Sequence, residues 1–363
     1  MRVLHAADFG GVAPGGFVPL LAALARRVTA RGDDFALVVP QVAGATWHPL
    51  VRAAGAELHT VRGAREAVRF ARAWRPDVAH VHFFPWHVPL TLGLWSTRAR
   101  IFWHAHSTSL RRGRVRASAK SMTKYRLIGA RAERIVTVSS AVADELAALG
   151  APRARIVAIP NAVDSARFRP PTADERAAAR AALALAPDER AVLFFGRDPH
   201  LKGADVLAAA LPQLARTAGA RSERIAMVAV ATPADARGAL ARHARVVAIE
   251  AAPDVVPLMW ACDALAMPSR GEGFGLVLLE AALAGLPVAA SDLPALREAA
   301  AGHANVRFAA AGDADALACA LREALAMPHA LRDASASSSA PAPRSAEPNA
   351  LDDWAERVDA LYR

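Results

Sequence analysis

Cysteine is almost missing from the 363 residues: Cys262 and Cys319 are the whole supply. Two thiols so far apart build neither a disulfide framework nor a cysteine metal site, and both are expected to be small buried hydrophobes. Long apolar runs are missing too. The best candidate, GLVLLEAALAGLPVAA, is broken by Glu280 and by a Gly-Leu-Pro step, whereas a membrane span needs roughly 18 uninterrupted residues. The opening MRVLHAADFGG reads as a first strand and its loop, not a signal peptide, so a cytoplasmic protein is expected. Aromatics are scarce at 6%, and alanine carries much of the 54% hydrophobic share. That balance suits helices laid on both faces of buried strands.

Lysine is scarce as well, with Lys120, Lys124 and Lys202 the only three among 44 basic residues. Arginine supplies the rest of a net charge of +10. The charge concentrates between Arg111 and Arg134, where Arg111, Arg112, Arg114, Arg116, Lys120, Lys124, Arg126, Arg131 and Arg134 face a single acid, Glu133. Such a segment attracts polyanions: nucleic acid, anionic lipid headgroups or lipid-linked phosphates. It also reads as a solvated helix face.

Short apolar runs alternate with amphipathic stretches. RVLHAA, a helix from Phe17 to about Thr29, and FALVV open a βαβ series that continues through DVAHVH, RIFWHAH, RIVTVSS and RIVAIP. After a proline-bearing, strandless stretch, a second series runs through AVLFFGR, RIAMVAV, RVVAI, DALAMPS and PVAAS. Alternation of this kind predicts an α/β protein with two Rossmann-like, doubly wound parallel-sheet domains facing across a cleft. The expected division is 1–165 as the first domain and 166–190 as the connection between domains. Residues 191–330 then form the second domain, 331–349 a low-complexity linker and 350–363 a final helix. In that helix Leu351, Trp354, Val358 and Leu361 share a face, which predicts docking.

Ligands of open α/β sheets bind beyond the carboxyl ends of the strands, so polar residues there are the candidates. The densest signal is AMPSRGEGFGLVLLEAALAGLPVAASD: a strand, a glycine-rich loop, then a helix starting near Phe274 or Gly275. Glycines admit a ligand close to the backbone, and helix-start amides favour an anion. Glu272 in the loop and Glu280 in the helix could each grip vicinal hydroxyls. Glu280 has Leu279, Ala281, Ala282 and Leu283 around it, where an idle carboxylate is costly. In LFFGRDPHLKGADVL, Arg197 and Lys202 bracket a loop entering a helix, a pairing that suits a diphosphate. His104 and His106 close RIFWHAH on one side of their strand. With no third ligand spaced near them, His106 reads as a hydrogen-bonding group, not a metal ligand. His80 and His82 read equally as satisfied half-buried histidines, and Asp313 as a helix cap.

Taken in order, EGFGLVLLE preceded by PS and followed by A-x-G-x-P-V, GRDPHLKG, the NAVD hinge and the glycine pair before the first long helix resemble the retaining family-4 glycosyltransferases of GT-B fold. The resemblance covers nearly the whole chain and is strongest from Ala191 to Glu298. It implies that Arg197 and Lys202 bind the donor diphosphate. Glu272 and the backbone amides from Gly273 through Phe274 and Gly275 to Leu276 would hold the donor sugar, and Glu280 the ribose. His106 would reach the donor sugar, and Gly16 would let the backbone approach phosphate or acceptor. It further implies transfer from a nucleotide-diphosphate sugar as co-substrate, without metal or other cofactor, to a sugar or lipid-linked acceptor. The final helix would pack back on the first domain. On this reading nucleic acid is not an expected partner, while an anionic membrane surface at the inner face of the cell membrane is, through the basic segment. The chain departs from the family at Ala162, where glycine is usual, and in RIAMVAVATPADARG, which lacks a glycine pair. A sugar-nucleotide epimerase or phosphorylase on the same fold would release nucleotide without acceptor or cleave with phosphate. A non-catalytic binding subunit would do neither.

Overall fold

The computed structural model describes residues 1–107, 122–216, 224–250, 252–329 and 350–363. Residues 111–121 of the basic segment and the expected linker at 331–349 lie outside them. The chain divides into two compact units that part between Ala162 and Val163.

The first unit holds a seven-stranded sheet of order β3-β2-β1-β4-β5-β6-β7. Its strands are β1 (Arg2–Ala7), β2 (Asp34–Pro40), β3 (Glu57–Val61), β4 (Val78–His82), β5 (Arg100–Ala105), β6 (Arg134–Thr137) and β7 (Ile156–Ala158). Every pairing is parallel. The central strands are buried along almost their whole length, which explains why they read as unbroken apolar runs and not as alternating ones. The helix Phe17–Ala30 lays Val18, Leu21, Leu24 and Val28 against β1 and β2, and the final helix, Ala350–Ala360, packs on it through Trp354, Ala355 and Val358. Asp359, fully buried, pairs there with Arg27 and Arg31.

The second unit has a six-stranded parallel sheet of order β10-β9-β8-β11-β12-β13. These are β8 (Glu189–Phe195), β9 (Arg224–Val230), β10 (Arg245–Ile249), β11 (Ala264–Met267), β12 (Val288–Ser291) and β13 (Val306–Ala309). The helices Ala204–Arg216 and Ala314–Ala326 build the core on one side of it. Residues 166–190, expected as a connection, are part of this unit. A capping box between Thr172 and Glu175 starts the helix Ala173–Ala182. Its Arg176 and Arg180 reach Asp263 at 2.7 and 3.3 Å, and Ala191 N–H donates to the same carboxylate at 2.8 Å.

Two strands had no apolar run to announce them. β3 carries Glu57, His59 and Thr60, and β13 carries Arg307, each at the edge of its sheet. Cys262 is buried as expected, but Cys319 is exposed, because its helix turns that position away from the core. Asp313 accepts from the backbone N–H groups of Asp315 and Ala316, capping the helix behind it. Among the described residues no helix is long and apolar enough to cross a membrane.

Candidate active site

In both sheets the strand order reverses beside the first strand of the unit, between β1 and β4 and between β8 and β11. A crevice forms at such a switch point, beyond the carboxyl ends of the strands. In the second unit the two loops flanking it are bound to each other. Lys202, in the loop after β8, donates from Nζ to Glu272 Oε1 at 2.6 Å, and Ser269 Oγ donates to the same oxygen at 2.7 Å. Arg270 closes the seam. Its N–H donates to Leu201 O at 2.8 Å, and its guanidinium holds His200 O at 2.6 Å and both oxygens of Asp205 at 2.7 and 2.6 Å.

This approach needs Gly203, whose φ is +72°. A Cβ there would stand 2.0 Å from Pro268 O, inside any permitted contact. Gly275 does the same for the helix Leu276–Leu283: its φ of +98° starts the helix, and a Cβ would meet Leu296 Cδ2 at 2.4 Å. Gly273, Phe274 and Gly275 are buried and Leu276 half-buried, so this loop is anchored, not floating. Arg197 is exposed, just past the end of β8.

Glu280 lies on the buried face of that helix, only 6% exposed. Burial lifts its carboxyl to about 7, with Arg167 pulling weakly the other way. A group so poised exchanges its proton easily when a hydrogen-bonding ligand arrives. The loop after β9 lacks the glycines noted above, and the backbone takes a left-handed turn regardless: Ala231 has φ +47°.

The first unit gathers histidines that the sequence shows only as two separated pairs. In register, His5 on β1 lies beside His80 on β4, and His82 beside His104 on β5. With His106 they cover one face of the sheet, and His5, His80, His82 and His104 are fully buried. Burial depresses all five, His5 and His106 to about 3, so the rings are neutral. The reading of His104 and His106 as an isolated pair is therefore corrected. Nitrogens of His80, His82 and His104 lie within 4.8 Å of one another. Even so, the His80 and His82 planes are only 6° apart with centroids 4.7 Å apart, so their in-plane lone pairs do not converge. Both His82 nitrogens are also taken, by His5 and His106, each at 2.8 Å. The arrangement is a stack, not a ligand set.

His106 itself is half-buried, its ring 4.6 Å from that of Phe83 and 4.9 Å from that of Phe17. Phe83 holds a φ of +65° with ψ 140°, a conformation costing on the order of 1–3 kcal/mol and concentrated at functional sites. Gly16 sits at the start of the helix Phe17–Ala30, half-buried, with Gly15 at φ +52° before it.

Comparison with known proteins now bears on this geometry. Residues 14–167 match the model of Glycosyltransferase Family 4, and residues 189–327 that of the Glycosyl transferases group 1. The chain belongs to the family-4 glycosyltransferases. A D-inositol 3-phosphate glycosyltransferase of Nocardia farcinica is 38% identical over 179 residues, covering 46% of this chain and 39% of that protein. A relative of the same name in Kineococcus radiotolerans is 31% identical over 246 residues, 61% of this chain and 55% of its own. The matched stretches thus span about half, or less, of these curated relatives. Among solved structures, Anabaena HepE in complex with UDP and glucose superposes with a TM-score of 0.70 at 18% identity, covering 100% of this chain and 97% of that one. A glycosyltransferase of Rickettsia africae gives 0.69 at 15%, covering 99% and 93%. At those identities the likeness is one of fold, and the fold is the GT-B pair of parallel-sheet units.

Within this family-4 chain, the structure joins Lys202 to Glu272 directly and leaves Arg197 exposed nearby in sequence. Arg270 and Asp205, which bind the two loops together, had no motif of their own. Tyr362, which enters the histidine stack from just beyond the final helix, had none either. Of the basic segment, Lys124 is no surface charge: its ammonium lies 4.6 Å from the Phe84 ring centroid and 4.9 Å from that of Tyr125, and burial lowers it to about 8. Arg126 and Arg134 are exposed.

Proposed function

We propose that the protein transfers a glycosyl group from a nucleoside-diphosphate sugar to an acceptor hydroxyl, with the anomeric configuration retained and without a metal. The observation that carries this reading is the Ser269–Glu272–Lys202 triplet at the switch point of the second sheet, with the buried Glu280 on the helix that follows. Lys202 and Arg197 balance the charge of the diphosphate and stabilise it as it departs. An arriving diphosphate competes with Glu272 for Lys202, which frees the Glu272 carboxylate to accept hydroxyls of the sugar. The amides from Gly273 to Leu276 hold the same sugar, and Glu280 accepts from the ribose. His106 is assigned to the sugar, and Gly16 to phosphate or acceptor. Retention follows if the departing phosphate takes the acceptor's proton on the face it leaves. Positioning and charge stabilisation then supply the catalysis, with no protein nucleophile.

Uridine donors come first among candidates, since HepE is complexed with UDP and with UDP-glucose. The relatives' names make a phosphorylated polyol an acceptor to include beside sugars and lipid-linked sugars. Attachment to the inner face of a membrane is supported by exposed Leu92, Trp95 and Leu127. The helix Phe84–Gly93 also packs against the turn Lys124–Ile128 that bears Arg126.

The test is donor turnover. UDP-, GDP- and ADP-sugars are supplied without acceptor, and nucleoside diphosphate release is followed. One donor is expected to turn over slowly, and Glu272→Ala to abolish it. Undiminished release in that variant would misplace the site, and silence with no donor binding would leave a binding subunit.

A further inference from the structure

A chain of hydrogen bonds runs through the buried face of the first sheet and ends at His106. His80 Nδ1 lies 2.5 Å from Tyr362 Oη, and Tyr362 Oη lies 3.1 Å from His5 Nε2. His5 Nδ1 is 2.8 Å from His82 Nε2, and His82 Nδ1 is 2.8 Å from His106 Nε2. Tyr362 is itself pinned. Arg100 donates to Tyr362 O and, at 3.1 Å, to Leu361 O, while Glu133 holds the same guanidinium at 2.7 and 2.6 Å.

A neutral imidazole has one N–H and one bare nitrogen, and a phenol has one proton. Each link therefore dictates the next. If one ring turns its N–H toward a neighbour, the facing nitrogen of that neighbour is bare and its far nitrogen carries the proton. Five groups in series make all four links in two states that run in opposite directions, and in a third in which Tyr362 Oη accepts from both His5 and His80; the third leaves the buried Tyr362 O–H without an acceptor among the described residues and is the costlier for it. In the first, His106 donates inward from Nε2, and the last proton rests on His80 Nε2. In the second, His80 Nδ1 donates to Tyr362, Tyr362 to His5, His5 to His82, and His82 to His106 Nε2. His106 then carries its proton on Nδ1.

The two ends decide between them. His80 Nε2 is buried without a hydrogen-bond partner among the described residues. The first state would put a proton on that atom and orphan a buried N–H. The second leaves only a lone pair, the lesser loss.

We infer that the buried relay His80–Tyr362–His5–His82 positions the proton of His106: His82, donating from Nδ1, holds His106 as the Nδ1–H tautomer, so the nitrogen left for the sugar is a hydrogen-bond donor. The inference rests on the proposed reading of His106 as a donor-sugar ligand, but the tautomer is a property of the free protein. In that tautomer His106 bonds a sugar oxygen and takes no proton at Nδ1.

The experiment is two-bond 1H–15N correlation spectroscopy on the full-length protein labelled with 15N-histidine, the His106 signals being assigned by their loss in His106→Gln. For the native protein, a protonated Nδ1 and a bare Nε2 at His106 are expected. In His82→Phe, which removes the donor to His106 Nε2, the His106 tautomer ratio is expected to move at least tenfold toward Nε2–H, whereas Tyr362→Phe, in which an inward-running chain would orphan an N–H on His5 Nε2, is expected to keep the proton on His106 Nδ1. A native His106 protonated on Nε2 overturns the inference with no variant needed, and so does an unchanged ratio in a folded His82→Phe or a shifted one in a folded Tyr362→Phe. Because the spectra need no substrate, a chain that turned over no donor would sink the functional reading and leave this one standing. The wrong tautomer beside intact turnover would do the reverse.

Discussion

Glu280 shows how one buried side chain couples site to stability. Its carboxyl, ordinarily near 4.5, titrates at about 7 when folded, because burial penalises the charged form. The folded state therefore holds the proton longer than the unfolded chain does. Its cost to stability is absent below about 4.5, grows as pH rises to about 7, and is complete above, on the order of 3 kcal/mol. Glu280→Gln is expected to stabilise the second unit by up to that amount at pH 8 and to be near neutral at pH 4.5, while weakening donor binding at least tenfold. Denaturant melts at the two pH values, with titration of the nucleotide, check it, and an equal effect at both pH values would refute the assignment. Glu272, Glu280 and Lys202 were legible in the sequence because each stands beside glycines or in a context that makes an idle charge expensive. Arg270 was not, since its meaning lies in His200 and Asp205, 70 and 65 positions away across the seam.

At the scale of elements, the site depends on two loops drawn together by a missing side chain. Gly203→Ala puts a methyl group 2.0 Å from Pro268 O, and the loop after β8 must then retreat from the one after β11. It is expected to cost the second unit about 2–4 kcal/mol and to raise the donor KM more than tenfold. Gly312→Ala is the control: φ is +84° there, yet nothing lies within 4 Å of the added carbon, so only the backbone term of about 1–2 kcal/mol remains. Thermal melts and donor kinetics of both variants separate clash from strain, and equal effects would show that the close approach does not matter. The element pattern itself was readable wherever a strand is buried on both faces. It failed at β3 and β13, edge strands in which Glu57, His59 and Thr60, or Arg307, interrupt the apolar run that marks a strand.

Across the whole molecule, the two units carry buried titratable groups of opposite response to acid. The histidines of the first unit have folded pKa values well below the ordinary 6.5, His5 and His106 at about 3. Their stabilising neutrality is fully present above about 6.5 and is lost as pH falls, by up to about 1.4 kcal/mol per ring per pH unit. Several such rings exhaust a typical stability within about two units. Glu280 acts in the other direction, its cost to the second unit shrinking over the same range. Between pH 7 and 5 the first unit is expected to unfold before the second. Limited proteolysis at pH 5, with the fragments mapped, checks this: cuts within Met1–Ala162 should precede cuts within the second unit. His104→Phe, which replaces a ring whose two nitrogens are both buried without partners, should move the acid transition lower.

The sequence by itself determined the fold class, the two parallel-sheet series and the glycine-rich and basic loops of the second unit. These rest on local signals: periodicity, glycine next to charge, and the cost of a carboxylate among leucines. Only the tertiary structure decided that five histidines from β1, β4 and the end of β5 form one stack and that Tyr362 closes it. It also decided that Lys202 pairs with Glu272. Strand order and register bring those groups together, and register is set by the packing of whole sheets, which no short stretch of sequence records.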